Sequence, residues 1–180
     1  AKQSSGIISP YEMAGKRIMF DGVTGNDAPL KAMLIDADIK GNYTSVPPSF
    51  NDAALINGEI DVQSMYITDQ PFMLKQKGVK FNIINPQNYG FDFYGDILYT
   101  SQSEIEKFPG RAERFRRASL KGWEYALAHP EELVRLLKYQ YKSELSLEAL
   151  RYEAQETKKL ILPDSVPLGQ MKVSRLIRVA

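Results

Sequence analysis

Between Lys16 and Ile84 short apolar runs alternate with apolar stripes at helical spacing, and this alternation restricts the possible folds more than any other feature of the chain. Lys16 to Phe20 is a β-type run ending in Asp21-Gly22-Val23-Thr24-Gly25-Asn26-Asp27, a stretch of turn formers. Leu30, Met33, Leu34 and Ala37 then fall at i, i+3, i+4 and i+7. Asn26 or Asp27 is available as cap, and Pro29 sits in the first turn, where a missing N–H costs nothing. The β-rich Tyr43 to Val46 follows, then a short helix from Asp52 to Ile56 stopped by Asn57-Gly58, and then Ile60 to Ile67, which reads as a buried strand. Asp69 to Lys77 offers another helix, with Pro71 near its start and Gly78 after its end, and Val79 to Ile84 supplies a further strand. Strands separated by helical crossovers pair in parallel, so the pattern predicts an α/β fold with a mainly parallel sheet.

After Pro86 the texture changes. Asn88 to Gly95 is rich in aromatic residues and glycine, and a short strand is expected at Asp96 to Thr100. From Ser103 onwards the pattern is helical. One stripe runs through Ala112, Phe115, Ser119, Gly122, Trp123 and Ala126 and is interrupted at His129-Pro130. A second passes through Leu133, Val134, Leu137 and Tyr141, and a third through Leu147, Leu150, Ala154 and Ile161 with Ser146 as its cap. Trp123, lying on its stripe with Phe115 and Ala126, is expected to be mostly buried.

Composition removes several classes of function. The chain has no cysteine, which excludes disulfides, thiolate nucleophiles and cysteine-based metal sites. Its single histidine, His129, precedes a helix-opening proline and reads as a capping or surface residue. A formal net charge of +1 argues against broad nucleic-acid binding, because no large positive field surrounds the molecule. The basic cluster Arg111, Arg114, Arg116 and Arg117 reads as a solvated helix face. Glu131 and Glu132 sit at a helix start, where they suit the dipole better than general acid–base work. No apolar run approaches the ~18–20 residues of a membrane span, and the opening Ala-Lys-Gln-Ser-Ser-Gly has no apolar core of the secretion-signal kind. Composition therefore leaves the compartment open.

In open α/β sheets ligands bind beyond the carboxyl ends of the strands, where loops lead into helix N-termini. Three segments qualify. Asp21 to Asp27 offers glycines for close backbone approach and hydrogen bonds from Thr24 and Asn26, although it matches neither nucleotide-binding glycine pattern and also reads as a plain capped turn. Tyr66-Ile67-Thr68-Asp69-Gln70 places an aromatic ring, Thr68 and Asp69 just before a helix, as a helix cap or a ligand clamp would. Asp92-Phe93-Tyr94 sets aromatic faces beside a carboxylate, which suits a flat, partly polar ligand, whereas the bland alternative makes Phe91 and Phe93 core residues. Tyr66, Asp69, Asp92 and Tyr94 are expected to converge on one cleft.

Several segments then carry a family resemblance. Ser9-Pro10, Ala14-Gly15-Lys16-Arg17, Gly58-Glu59-Ile60-Asp61-Val62, Tyr66 to Phe72, Tyr89-Gly90-Phe91-Asp92-Phe93-Tyr94-Gly95-Asp96 and Ala118 to Ala126 occur in this order. Together they resemble the periplasmic substrate-binding proteins related to thiamine pyrimidine synthase and to alkanesulfonate and thiamine-precursor binding proteins. Ile161-Leu162-Pro163 and Gly169-Gln170-Met171 are similar to members that form the extracytoplasmic sensing region of membrane signalling proteins. The resemblance implies two α/β lobes joined by a hinge and closing on a small ligand, often a heterocycle such as a pyrimidine. Members that synthesise the thiamine pyrimidine need a cysteine-rich iron-binding motif, so the absence of cysteine leaves that activity behind.

The resulting expectation is a periplasmic-binding-protein-like α/β chain: a mainly parallel sheet lobe over 1–95, the second lobe of the binding protein, and a crossover strand and helical region over 96–180. The latter would complete a first lobe whose N-terminal part lies outside this sequence. The function expected is extracytoplasmic binding of a small molecule in a sensor or an ABC-type transporter, with no catalytic residues, metal or cofactor. A membrane permease or attached signalling domains would be the partners, with dimerisation through an exposed lobe surface. An enzyme related to pyrimidine synthesis and a helical interaction module over 103–180 are the alternatives.

Overall fold

Parallel pairing begins within the apolar run Lys16 to Phe20. The computed structural model describes residues 1–20, 27–49, 52–161 and 166–179. The chain divides into two compact units: Ala1 to Phe93 together with the segment from Ser174, and Tyr94 to Val173. In the first unit β1 (Arg17–Met19), β2 (Thr44–Val46) and β3 (Val62–Gln63) form a parallel sheet in the order β2-β1-β3, with Ile18 opposite both Ser45 and Val62. Three helices alternate with them: α1 (Ala28–Asp36), α2 (Ala53–Asn57) and α3 (Gln70–Gln76).

Side chains alternate across a strand, so β1 serves two cores at once. Ile18 and Phe20 join Leu30, Met33, Leu34 and Val62 on the α1 side. Met19 joins Leu55, Ile60 and Leu74, which come from α2, its exit and α3. Helices thus cover both faces of a parallel sheet, as such sheets require. α2 stops at Gly58, whose φ of 78° is the left-handed conformation that ends a helix without a Cβ clash.

Three expected strands are corrected. The run Ile60 to Ile67 pairs only at Val62–Gln63, because beyond the bond from Ser64 N–H to the Met19 carbonyl the chain turns at Tyr66 to Asp69. Val79 to Ile84 does not extend the sheet, since its backbone is engaged by the start of the chain. Gln3 N–H donates to the Lys80 carbonyl at 2.9 Å, Asn82 N–H donates to the Ala1 carbonyl at 2.9 Å, and Lys2 and Phe81 form an isolated antiparallel bridge. Asp96 to Thr100 is irregular and makes no ladder among the described residues.

The second unit holds α4 (Gln102–Lys107), α5 (Pro109–Ala128), α6 (Pro130–Arg135) and α7 (Leu147–Ile161). α6 runs on into a π turn at Leu136–Gln140. Ser101 caps α4 through Glu104 N–H, and Ser146 caps α7 through Ala149 N–H, each at 3.1 Å. Val134 of α6 and Ala149 and Leu150 of α7 are buried, and Arg151 forks onto Glu131 at 2.7 and 2.8 Å. That hydrogen-bonded guanidinium, joined by Arg135, holds the Glu131 carboxyl down to about 2. The C-terminal helix α8 (Val173–Val179) follows, and from Ser174 onward it belongs to the first unit.

Trp123 is not buried: it is 46% exposed, and Phe115 is more exposed still. The packed face of α5 runs through Leu120 and Leu127, which are i and i+7, and flanks the aromatic stripe. Leu127 is buried, and Leu120 lies so close to Gly169 that a Cβ there would come within 2.5 Å of it. Trp123→Ala is therefore expected to cost about 1 kcal/mol in chemical denaturation, against the 3–5 kcal/mol of a buried tryptophan. A loss in the larger range would put Trp123 inside a core.

Candidate functional site

The carboxyl end of β1 feeds the first expected ligand loop, where Thr24 and Asn26 lie outside the described residues. Asp27, which follows them and is one of the two candidate caps of α1, does not cap it through its side chain. Its side chain makes no cap hydrogen bond, and its Oδ1 accepts from the Ser64 hydroxyl instead. Asp27 is buried at 9% exposure, so this bond ties the start of α1 to the residue just past β3. Asp27, read from the sequence as a candidate cap and as the end of a candidate ligand loop, is thus a buried carboxylate bonded to the residue just past β3. One residue back, Gln63 Oε1 is buried and accepts no hydrogen bond among the described residues.

The second segment sits at the entrance of α3. Tyr66 N–H donates to Gln70 Oε1 at 2.8 Å, while the Tyr66 ring is 71% exposed. Thr68 and Asp69 are half-buried, and Asp69 makes no capping bond from its side chain. The cap reading of Asp69 is thereby set aside.

The third segment is built by a short 3-10 turn, Pro86–Tyr89. Asn85 starts it by accepting Gln87 N–H at 3.1 Å, and Gly90, with φ of 87°, ends it. This holds Gln87 where its side-chain Nε2 donates to Asp92 Oδ1 at 2.8 Å. Arg175 of α8 reaches the same carboxylate oxygen through Nη2, and donates to the carbonyls of Asp92 at 3.1 Å and Phe93 at 3.2 Å. Phe91 packs, half-buried, against the α1-side core, so its ring is structural. Nothing in the sequence around Asp92 announces Arg175, which is 83 positions away.

Tyr94 belongs to the second unit, where its hydroxyl accepts Lys172 N–H at 2.9 Å. Within the first unit no hydrogen bond or ion pair joins Tyr66, Thr68 or Asp69 to Asp92. His129, in the second unit, stacks on Tyr125 with ring centroids 4.1 Å apart, and its Nδ1 lies 2.9 Å from the Tyr125 carbonyl. The described residues hold no cluster of three or more His, Asp or Glu side chains suited to a metal ion, and no described helix is long and apolar enough to cross a membrane.

A sequence profile of the family described as NMT1/THI5 like matches residues 1–133 of this chain. The chain belongs to that family. The segments from Ser9 to Ala126 that suggested substrate-binding proteins of this group lie inside the matched region, and the α/β sheet agrees with it. Among curated relatives, the chain is 29% identical over 135 residues to the formylaminopyrimidine-binding protein of Halalkalibacterium halodurans, covering 72% of this chain and 40% of that protein. It is 25% identical over 177 residues to the riboflavin-binding protein RibY of Chloroflexus aurantiacus, covering 97% of this chain and 48% of the relative. The chain therefore spans less than half the length of either relative. Both of these NMT1/THI5-like proteins are named for binding a small molecule.

Proposed function

We propose that this chain is part of an extracytoplasmic receptor for a flat nitrogen heterocycle of the pyrimidine or flavin class, and that binding is its whole chemistry. Asp92 carries the reading: a half-exposed carboxylate with one oxygen committed to internal donors and the other available to a ligand N–H. The exposed Tyr66 ring suits stacking on such a ligand, and Thr68, Asp69, Thr24 and Asn26 are the further polar groups of the proposed cleft. In the proposed two-lobed protein, Ala1 to Phe93 with the segment from Ser174 would lie in one lobe and Tyr94 to Val173 in the other. The heterocycles in the two relatives' names and the chain's membership of their family support this class of ligand. The segment resemblance around Ile161 to Met171 favours a sensor over a transporter component, with signalling domains and not a permease as the partner.

The test is mass spectrometry of small molecules released from the purified protein, followed by a thermal-shift series with riboflavin and a formylaminopyrimidine. A ligand at a hundred times its Kd adds about 2.7 kcal/mol to the folded state. For a chain of this size that is a rise of about 5 °C or more in Tm. Asp92→Ala should weaken binding at least tenfold and Tyr66→Ala by a smaller factor. No shift with either compound, and nothing released from the protein, would overturn the reading.

A further inference from the structure

Asp92 is a carboxylate whose charge is already answered. Both internal donors, Gln87 Nε2 and Arg175 Nη2, fall on Oδ1, and no described residue donates to Oδ2. Arg175 is further fixed by the carbonyls of Asp92 and Phe93, so its guanidinium stands beside the carboxylate with several donors engaged at once. An unpaired carboxylate would attract any cation and favour an ammonium group over a neutral N–H. A carboxylate paired with a guanidinium has little net charge to offer, while its free oxygen remains a strong acceptor. A second cation brought to Oδ2 would also meet Arg175, and like charges held close are costly.

We infer that Arg175 is a specificity-determining residue, which by neutralising Asp92 makes the site select an uncharged heterocyclic N–H or amino donor and reject an ammonium-bearing analogue. Gln87 is its positioning partner. Gln87 also donates to Oδ1, so that Oδ2 is the oxygen left to the ligand. The inference rests on the reading of Asp92 as a ligand acceptor, and it adds to that reading a charge rule for the ligand.

The probes are a pyrimidine bearing a formylaminomethyl group, neutral at pH 7, and the corresponding aminomethylpyrimidine, a cation at the same pH. Calorimetry on the wild-type chain should give at least a tenfold preference for the neutral compound. Arg175→Gln keeps a donor for the backbone carbonyls and removes the charge. It should weaken the neutral probe, strengthen the cation and reverse the preference. Arg175→Lys should restore the wild-type order, and Asp92→Asn added to Arg175→Gln should abolish the gained cation binding. Melting curves establish that each variant is folded. If Arg175→Gln does not fold, Arg175→Lys and Asp92→Asn still decide, since both must leave the cation disfavoured. Equal losses for both probes, or an unchanged preference in Arg175→Gln, would overturn the inference while leaving the binding reading intact. Failure of every folded variant and of the wild type to bind either probe, together with no shift by riboflavin and nothing released from the protein, would overturn both.

Discussion

Ile18→Ala will destabilise the first unit by about 2–5 kcal/mol. Ile18 has no exposed surface, and it sits at the middle of the central strand, with Ser45 on one side and Val62 on the other. Its side chain belongs to the cluster that includes Met33 and Leu34 of α1, so removing it leaves a cavity that neither the sheet nor the helix can close without shifting the other. Urea unfolding followed by circular dichroism measures the loss. Tyr66→Ala, on a ring in solvent, provides the contrast and should stay within about 0.5 kcal/mol. A change below about 1 kcal/mol for Ile18→Ala would mean that the three-stranded sheet is not the centre of this unit.

The second large effect concerns length. A longer chain carrying, ahead of Ser9, the first-lobe residues of the proposed two-lobed receptor will bind its ligand at least tenfold more tightly than the 180-residue chain, about 1.4 kcal/mol, and will self-associate less. Small-molecule sites cover about 70–90% of the ligand surface, and two lobes closing on a ligand reach that coverage where one does not. The aromatic stripe of α5, with Phe115 and Trp123 open to solvent, is an apolar surface of the kind that pairs with something. In the shorter chain a second copy would be the available partner. Calorimetry and light scattering on the two chains decide between the outcomes. Equal affinity and a monomeric short form would show that these residues bind without a further lobe.

Local pattern was sufficient for much of the first unit. The i, i+3, i+4, i+7 spacing from Leu30 to Ala37 marks the buried face of α1, and Leu30, Met33 and Leu34 do face the core. Pattern failed where the outcome depends on a partner that the local sequence does not name. Ile60 to Ile67 is continuously strand-like in composition, yet only Val62 and Gln63 find β1 beside them. Val79 to Ile84 has the right residues for a parallel strand, and its hydrogen bonds go to Ala1 and Gln3 instead. The Trp123 stripe shows which face of α5 is apolar but not whether anything covers it. At the site, a carboxylate flanked by rings drew attention to Asp92, whereas Arg175 and the Asp27–Ser64 bond join residues too far apart in sequence for spacing to connect them.

The return of α8 to the first unit also fixes an order of events during synthesis. The ribosome makes Asp92 and Gln87 early, then the whole of the second unit, and only afterwards Arg175. At about 5–20 residues per second, several seconds pass in which the sheet can form while the Asp92 carboxylate still lacks its cation. A nascent chain in that interval would present an uncompensated anion, open to metal ions and polyamines, that the finished protein does not. In the proposed site, Arg175 is thus the last of these three residues to be made, and its arrival is the step at which the Asp92 carboxylate gains its internal cation.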